Sequence, residues 1–285
     1  MMNILVTGGN GQLASCIKNS EQDLSDFNFE YIDLEELDIT DRGAVLDFFE
    51  NKGFDWCINC AAYTAVDKAE SEQELAKTVN VDGAGYLAEA TKKASAGFIQ
   101  ISTDFVFDGN QGSLYSEDDE TAPISVYGST KLYGELAVAN TIPEHFIIRT
   151  SWLYSEYGNN FLKTMLRLGA ERDILNVVSD QIGTPTYAGD LAELIIKIIR
   201  RNSEEFGTYH YSNEGVASWY DFAKAIMEES RTVCEVLPIR TEAYPTPAQR
   251  PAFSVMDKSK IKTTFNMEIP YWRDSLKKCL IELVG

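Results

Sequence analysis

Short apolar runs alternate with stretches of helical period through the first half of the chain. The runs cover residues 3–7, 29–33, 54–59, 97–102 and 146–152. They are nearly continuous in apolar side chains, which predicts strands buried on both faces of a sheet. A helix is predicted over 40–51, with Thr40 or Asp41 as its cap and Val45, Leu46 and Phe49 on one face. Another starts near Glu70, carries Asn80 and continues towards Thr91. A third is predicted over 124–139. The β-α-β-α order implies an α/β fold with a doubly wound parallel sheet of Rossmann type. In such sheets ligands lie beyond the carboxyl ends of the strands, where Gly8, Asp33, Ala61, Thr103 and Trp152 all fall.

After about residue 155 the pattern loosens into shorter pieces. Helices are predicted over 160–168, 190–201, 218–230 and 271–283, with strand-like runs at 174–178, 209–211 and 236–238. The chain therefore divides into a dinucleotide-binding domain over 1–155 and a smaller lobe, mainly substrate-binding, over 156–285. Some segments of the second part are expected to return to the first.

Composition narrows the function. The 285 residues carry 25 Lys and Arg against 44 Asp and Glu, a net charge of −19 without a basic block. That speaks against nucleic acid and anionic membrane surfaces as partners. The start of the chain shows no basic leader, and the longest apolar stretch, near Leu191–Lys197, is broken by charge. A cytoplasmic protein is expected. Five scattered cysteines fit a reducing compartment; Cys57 and Cys60 are expected to be buried structural thiols, since residues three apart on a strand face opposite ways. Two histidines, His145 and His210, do not make a His-rich metal site, and none is expected.

The first candidate chemistry is the turn Gly8-Gly9-Asn10-Gly11-Gln12-Leu13-Ala14. Glycines there let the backbone approach a pyrophosphate, whose charge meets the N–H groups and dipole of the following helix. About 20 residues on, Asp33 sits where a carboxylate accepts from adenosine ribose hydroxyls. Acids continue to Asp38 with no cation before Arg42, so NADH is expected over NADPH. The second candidate is Tyr127-Gly128-Ser129-Thr130-Lys131. Positions i and i+4 share a helix face, so the ammonium can favour the phenolate and lower the phenol pKa for acid–base work.

Together the glycine turn, Ser102-Thr103-Asp104 and Tyr127-x-x-x-Lys131 resemble the extended short-chain dehydrogenase/reductase superfamily. Residues 59–70, 102–109, 180–186 and 246–251 narrow the similarity to the dTDP-4-dehydrorhamnose reductase family. The resemblance implies reduction of the 4-keto group of a dTDP-6-deoxy-4-keto-sugar by NADH or NADPH. It implies that Thr103 binds the substrate carbonyl, that Tyr127 protonates the forming alkoxide, and that Lys131 supports Tyr127 and the nicotinamide ribose. Gly8, Gly11, Gln12 and Leu13 would lie against the pyrophosphate. Asp33, Leu34, Asp38 and Ile39 would line the adenosine; Ala61, Ala62, Tyr63 and Asn80 would serve the nicotinamide side. Asp104, Phe105, Trp152 and Arg250 would face the sugar nucleotide, and a guanidinium such as that of Arg250 suits a diphosphate.

The chain departs from the family at four positions. Phe105 stands where a Tyr is usual, and Ala14 replaces the third glycine. Cys16 and Gly189 occupy positions where some members carry acids that bind magnesium at a dimer contact, so magnesium is doubted here while a homodimer stays possible. Two other readings share the scaffold. One is a different nucleotide-sugar reductase or epimerase; the other is a non-catalytic dinucleotide-binding partner resembling the regulatory β subunit of methionine adenosyltransferase.

Overall fold

Six parallel strands form the central sheet in the computed structural model, which describes residues 1–284. They are β1 (Met2–Thr7), β2 (Phe27–Ile32), β3 (Trp56–Asn59), β4 (Gly97–Thr103), β5 (His145–Thr150) and β6 (Gly207–His210). Their order is β6-β5-β4-β3-β1-β2, so the winding reverses between β1 and β3. Thr7 pairs with Ile32 and Asn59, which brings the carboxyl ends of β1, β2 and β3 level. A crevice opens above that reversal, where the two connections leave in opposite directions.

The labelled helices are α1 (Gln12–Asn19), α2 (Arg42–Phe49), α3 (Ala84–Lys93), α4 (Val126–Thr141), α5 (Phe161–Glu171), α6 (Ala188–Arg200), α7 (Trp219–Ser230), α8 (Ser259–Phe265) and α9 (Trp272–Val284). Side-chain alternation divides β1 between two cores. Ile4 and Val6 pack with Ile17 of α1, Leu191 and Ile195 of α6, and Phe265 of α8. Leu5 packs on the other face with Val45 of α2, Leu87 of α3 and Val138 of α4. A separate core joins Leu162 of α5, Phe222 and Ile226 of α7, and Leu276 of α9. Each such fully buried side chain contributes roughly 1.5–3 kcal/mol over its exposed state. α6, β6 and α8 lie late in the chain yet complete the sheet layer.

Several elements differ from the sequence reading. Asp41 does cap α2, accepting from the Ala44 N–H, but the helix is shorter than 40–51. The helix expected from Glu70 is broken into Val66–Ala69, Gln73–Lys77 and a π-helical segment, Thr78–Gly83, before α3. The wider turn rotates Asn80 towards the 61–63 loop, a use to which such bulges are often put. β5 ends at Thr150, and Trp152 follows with φ of 46°, off the strand. α8 carries too few periodic apolar positions to stand out, although Ile261 and Phe265 are buried. Among the described residues no helix is long and apolar enough to cross a membrane, and no cluster of His, Cys, Asp or Glu is placed to hold a metal ion.

Candidate active site

A cleft of about 770 Å³ runs along the carboxyl edge of the sheet. Gly8, Gly11, Gln12, Leu13, Asp33, Leu34, Asp38, Ile39, Ala61, Ala62, Thr103, Tyr127, Lys131 and Trp152 all line it. Tyr63, Asn80, Asp104, Phe105 and Arg250 do not.

At one end the backbone is shaped for close approach. Gly8 has φ of +63°, and a Cβ there would stand 2.8 Å from the Ala61 nitrogen, so only glycine lets the turn after β1 meet the loop after β3. Gly11 begins α1 without any side-chain cap, leaving the first-turn N–H groups to an outside acceptor. Asp33 is oriented by two backbone donors: Asn10 N–H reaches one carboxylate oxygen at 2.9 Å and Leu34 N–H the other at 2.8 Å. These residues fit a dinucleotide: an anion site at a helix N-terminus, with a carboxylate beyond the neighbouring strand.

At the other end stand Thr103, Tyr127 and Lys131. Ser125 caps α4 by accepting from Gly128 N–H, and Val126 N–H donates to the Glu70 carboxylate. Two helix glycines allow close packing: a Cβ on Gly128 would lie 2.2 Å from the Phe105 carbonyl oxygen, and one on Gly134 2.2 Å from that of Asn80. The helix that carries Tyr127 is thereby seated on the turn after β4 and on the π-helical segment. Lys131 is buried and donates to the Ile101 carbonyl at 2.6 Å. Burial pulls its pKa down to about 8, against the neighbouring Glu135 carboxylate and Cys60, which favour the ammonium.

Burial pushes the Tyr127 phenol up to about 12; the Thr103 hydroxyl opposes this and the Asp104 carboxylate adds to it. This corrects the expected lowering by Lys131, whose ammonium is turned to the Ile101 carbonyl and does not govern the phenol. The shift suits a proton donor, because the neutral phenol is then the form present at neutral pH.

The residues outside the cleft wall support it from behind. Asn80 is buried, accepts from Tyr63 N–H at 2.8 Å, and donates to the Tyr63 carbonyl and to Thr130 of α4. It ties the 61–63 loop to α4. The Tyr63 hydroxyl points away, donating to Glu72 at 2.6 Å. Phe105 packs edge-on against Tyr127, ring centroids 5.5 Å apart. Asp104 is 1% exposed and reaches the cleft only through Thr103, whose hydroxyl donates to it at 3.0 Å. Arg250 is paired with Asp67 at 2.8 Å and bonded to Thr246 and the Ala248 carbonyl, fixing the proline-rich loop to the short helix Val66–Ala69.

Sequence reasoning missed part of the wall. Gln12 accepts from Ser155 and from Asn160, the cap of α5, so the chain beyond β5 grips the glycine turn. The Asn160 cap signal was available; the 148-residue separation from its partner was not. Cys60, expected to be buried, also lines the cleft, and burial holds its thiol protonated at a pKa of about 12. Trp152, with its positive φ, lines the cleft and stacks on Trp219 with ring centroids 3.6 Å apart.

Comparison with known proteins follows this geometry. The family model for the RmlD substrate binding domain matches residues 2–284. The dTDP-4-dehydrorhamnose reductase of Aggregatibacter actinomycetemcomitans is 43% identical over 97% of this chain and 98% of its own. The crystal structure of the Clostridium acetobutylicum dTDP-4-dehydrorhamnose reductase has a TM-score of 0.96 at 42% identity, covering all of both chains. That of Bacillus anthracis, solved in complex with NADP, has a TM-score of 0.95 at 40% identity, over 99% of this chain and all of that one. The chain belongs to the dTDP-4-dehydrorhamnose reductase family.

Proposed function

We propose that this chain reduces the 4-keto group of a dTDP-6-deoxy-4-keto-sugar, with dTDP-L-rhamnose as the favoured product. The observation that carries the reading is the convergence of Thr103, Tyr127 and Lys131 on one wall of a cleft whose far end is an uncapped, glycine-turned helix N-terminus. A scaffold that only binds a dinucleotide has no need of the first three.

A reduced nicotinamide, when bound, supplies the hydride. Gly8, Gly11, Gln12 and Leu13 would hold its pyrophosphate, Asp33 its adenosine ribose, and Ala61 and Ala62 its nicotinamide half. The remaining work belongs to the chain. As the ketone gains electrons, its oxygen becomes strongly basic and needs both a hydrogen bond and a proton. Tyr127 enters the reaction protonated and gives up its proton readily, because an alkoxide is a stronger base than a phenolate. Lys131, cationic below about 8 and bonded to the Ile101 carbonyl, would hold the nicotinamide ribose. Thr103 would bond the same oxygen. Trp152, backed by Trp219, offers an aromatic face beside these groups. Arg250 would meet the diphosphate only by exchanging its bond to Asp67.

Oxidation of reduced cofactor by purified protein with a dTDP-4-keto-6-deoxy sugar, and identification of the sugar formed, tests the reading. No oxidation above the sugar-free rate would refute it.

A further inference from the structure

A hydroxyl has one proton, and three groups compete for that of Thr103. Its oxygen already accepts from Phe105 N–H at 3.2 Å, and its proton goes to Asp104 Oδ1 at 3.0 Å. The Tyr127 phenol also gains when Thr103 donates to it, and the proposed reaction asks Thr103 to donate to the substrate oxygen. While Asp104 is a carboxylate it holds the proton, and Thr103 presents no donor to the cleft.

The surroundings of Asp104 show how this conflict is resolved. Its side chain is 1% exposed, and Oδ2 is buried without a hydrogen-bond partner. The groups that face it are the hydroxyls of Thr103 and Ser254, the N–H groups of Asp104 and Phe105, and, from α4, the phenol of Tyr127. None is a cation. The Ser254 hydroxyl favours the ionised form but does not complete a bond to Oδ2. Leaving a buried carboxylate oxygen unbonded is costly, and protonation lowers that cost by removing the charge.

We propose that Asp104 is a positioning residue that acts as a neutral acid, donating its own proton to Thr103 Oγ1 and so releasing the Thr103 hydroxyl to donate to the substrate oxygen. The proposal rests on the reductase reading. In the protonated arrangement Thr103 Oγ1 accepts from Phe105 N–H and from Asp104, filling both lone pairs, and donates once, into the cleft. No proton leaves Asp104 in turnover, since it sets only the direction of the chain Asp104 to Thr103 to substrate. Burial lifts the Asp104 carboxyl to about 6, and a filled cleft excludes more water and lifts it further.

Asn in place of Asp distinguishes this from a structural role, because its amide donates to Thr103 at every pH. The experiment measures kcat/KM for the dTDP-4-keto sugar, with reduced cofactor saturating, from about pH 5 to 9 in wild type, Asp104→Asn and Asp104→Leu. Wild type is expected to fall as pH rises through the Asp104 range, near 6, and again through the Lys131 range, near 8. Asp104→Asn should lose the first fall, keep the second, and stay within about tenfold of the acid-side wild-type value, whereas Asp104→Leu should fall about 100-fold or more throughout. An Asn variant as damaged as the Leu variant, or one that keeps the first fall, overturns the proposal. Difference infrared spectra of the cofactor complex without sugar add a readout independent of turnover. A protonated-carboxyl band that titrates and vanishes in Asp104→Asn is expected, and its absence from wild type also overturns the proposal. Failure of the reductase reading looks different, as no turnover by wild type at any pH.

Discussion

Glu135 lies one helical turn past Lys131 and joins the stability of the fold to the chemistry of the site. Its carboxylate accepts from Ser102 Oγ at 2.5 Å and from Arg149 at 2.8 and 3.0 Å. Glu135 and Arg149 are 4% and 5% exposed, so neither charge has water to fall back on. Glu135→Gln keeps the shape but leaves the Arg149 guanidinium uncompensated, which for a buried pair costs roughly 3–5 kcal/mol. In a chain of this size that is a drop in Tm on the order of 10 °C. Replacing both partners with apolar residues, Glu135→Leu with Arg149→Met, should cost much less, because no charge is stranded. The same carboxylate does most to hold up the Lys131 pKa against burial. Without it the ammonium loses its proton below about 8, and the alkaline fall of kcat/KM moves to lower pH. Thermal unfolding of the three proteins and the pH profile of Glu135→Gln measure both effects. An unchanged Tm, or a fall that stays in place while Tm drops, would refute the coupling.

Other expectations are independent of this one. Burial and the adjacent Arg149 hold the His210 pKa down to about 3, while the unfolded chain titrates near ~6.5. The unfolded state therefore binds a proton first, and stability is lost as pH falls from about 6.5 towards 3; His210→Asn should flatten the Tm profile over that window. The acids from Asp33 to Asp38 leave a 2′-phosphate without a local cation, so kcat/KM for NADH should exceed that for NADPH, and equal values would remove the preference. The Bacillus anthracis relative was solved with NADP, so both cofactors belong in the comparison. Gly128→Ala should cut turnover sharply, since its Cβ would sit 2.2 Å from the Phe105 carbonyl oxygen and push Tyr127 off the site.

The parts legible in the sequence were those governed by local pattern. Apolar strand runs, the glycine turn and the Tyr127-to-Lys131 spacing each depend on neighbours within a few residues, and the cleft brings together residues from all three. What escaped depends on contacts made across the chain. The return of β6 to the sheet edge beside β5 is one case, and the grip of Asn160 on Gln12 is another. The π-helical segment around Asn80 has no compositional mark, since it answers to the loop it braces. Electrostatics was least legible. Spacing alone suggested that Lys131 would make Tyr127 more acidic, but burial governs both groups and moves them the other way.

In the proposed reaction the Tyr127 phenol delivers the proton to a reduced sugar ketone. Turnover of reduced cofactor with a dTDP-4-keto-6-deoxy sugar, compared between wild type and Tyr127→Phe alongside cofactor affinity, tests it most directly. Unchanged cofactor binding is expected, with turnover reduced by about 100-fold or more. A Phe variant that turns over at the wild-type rate would contradict it.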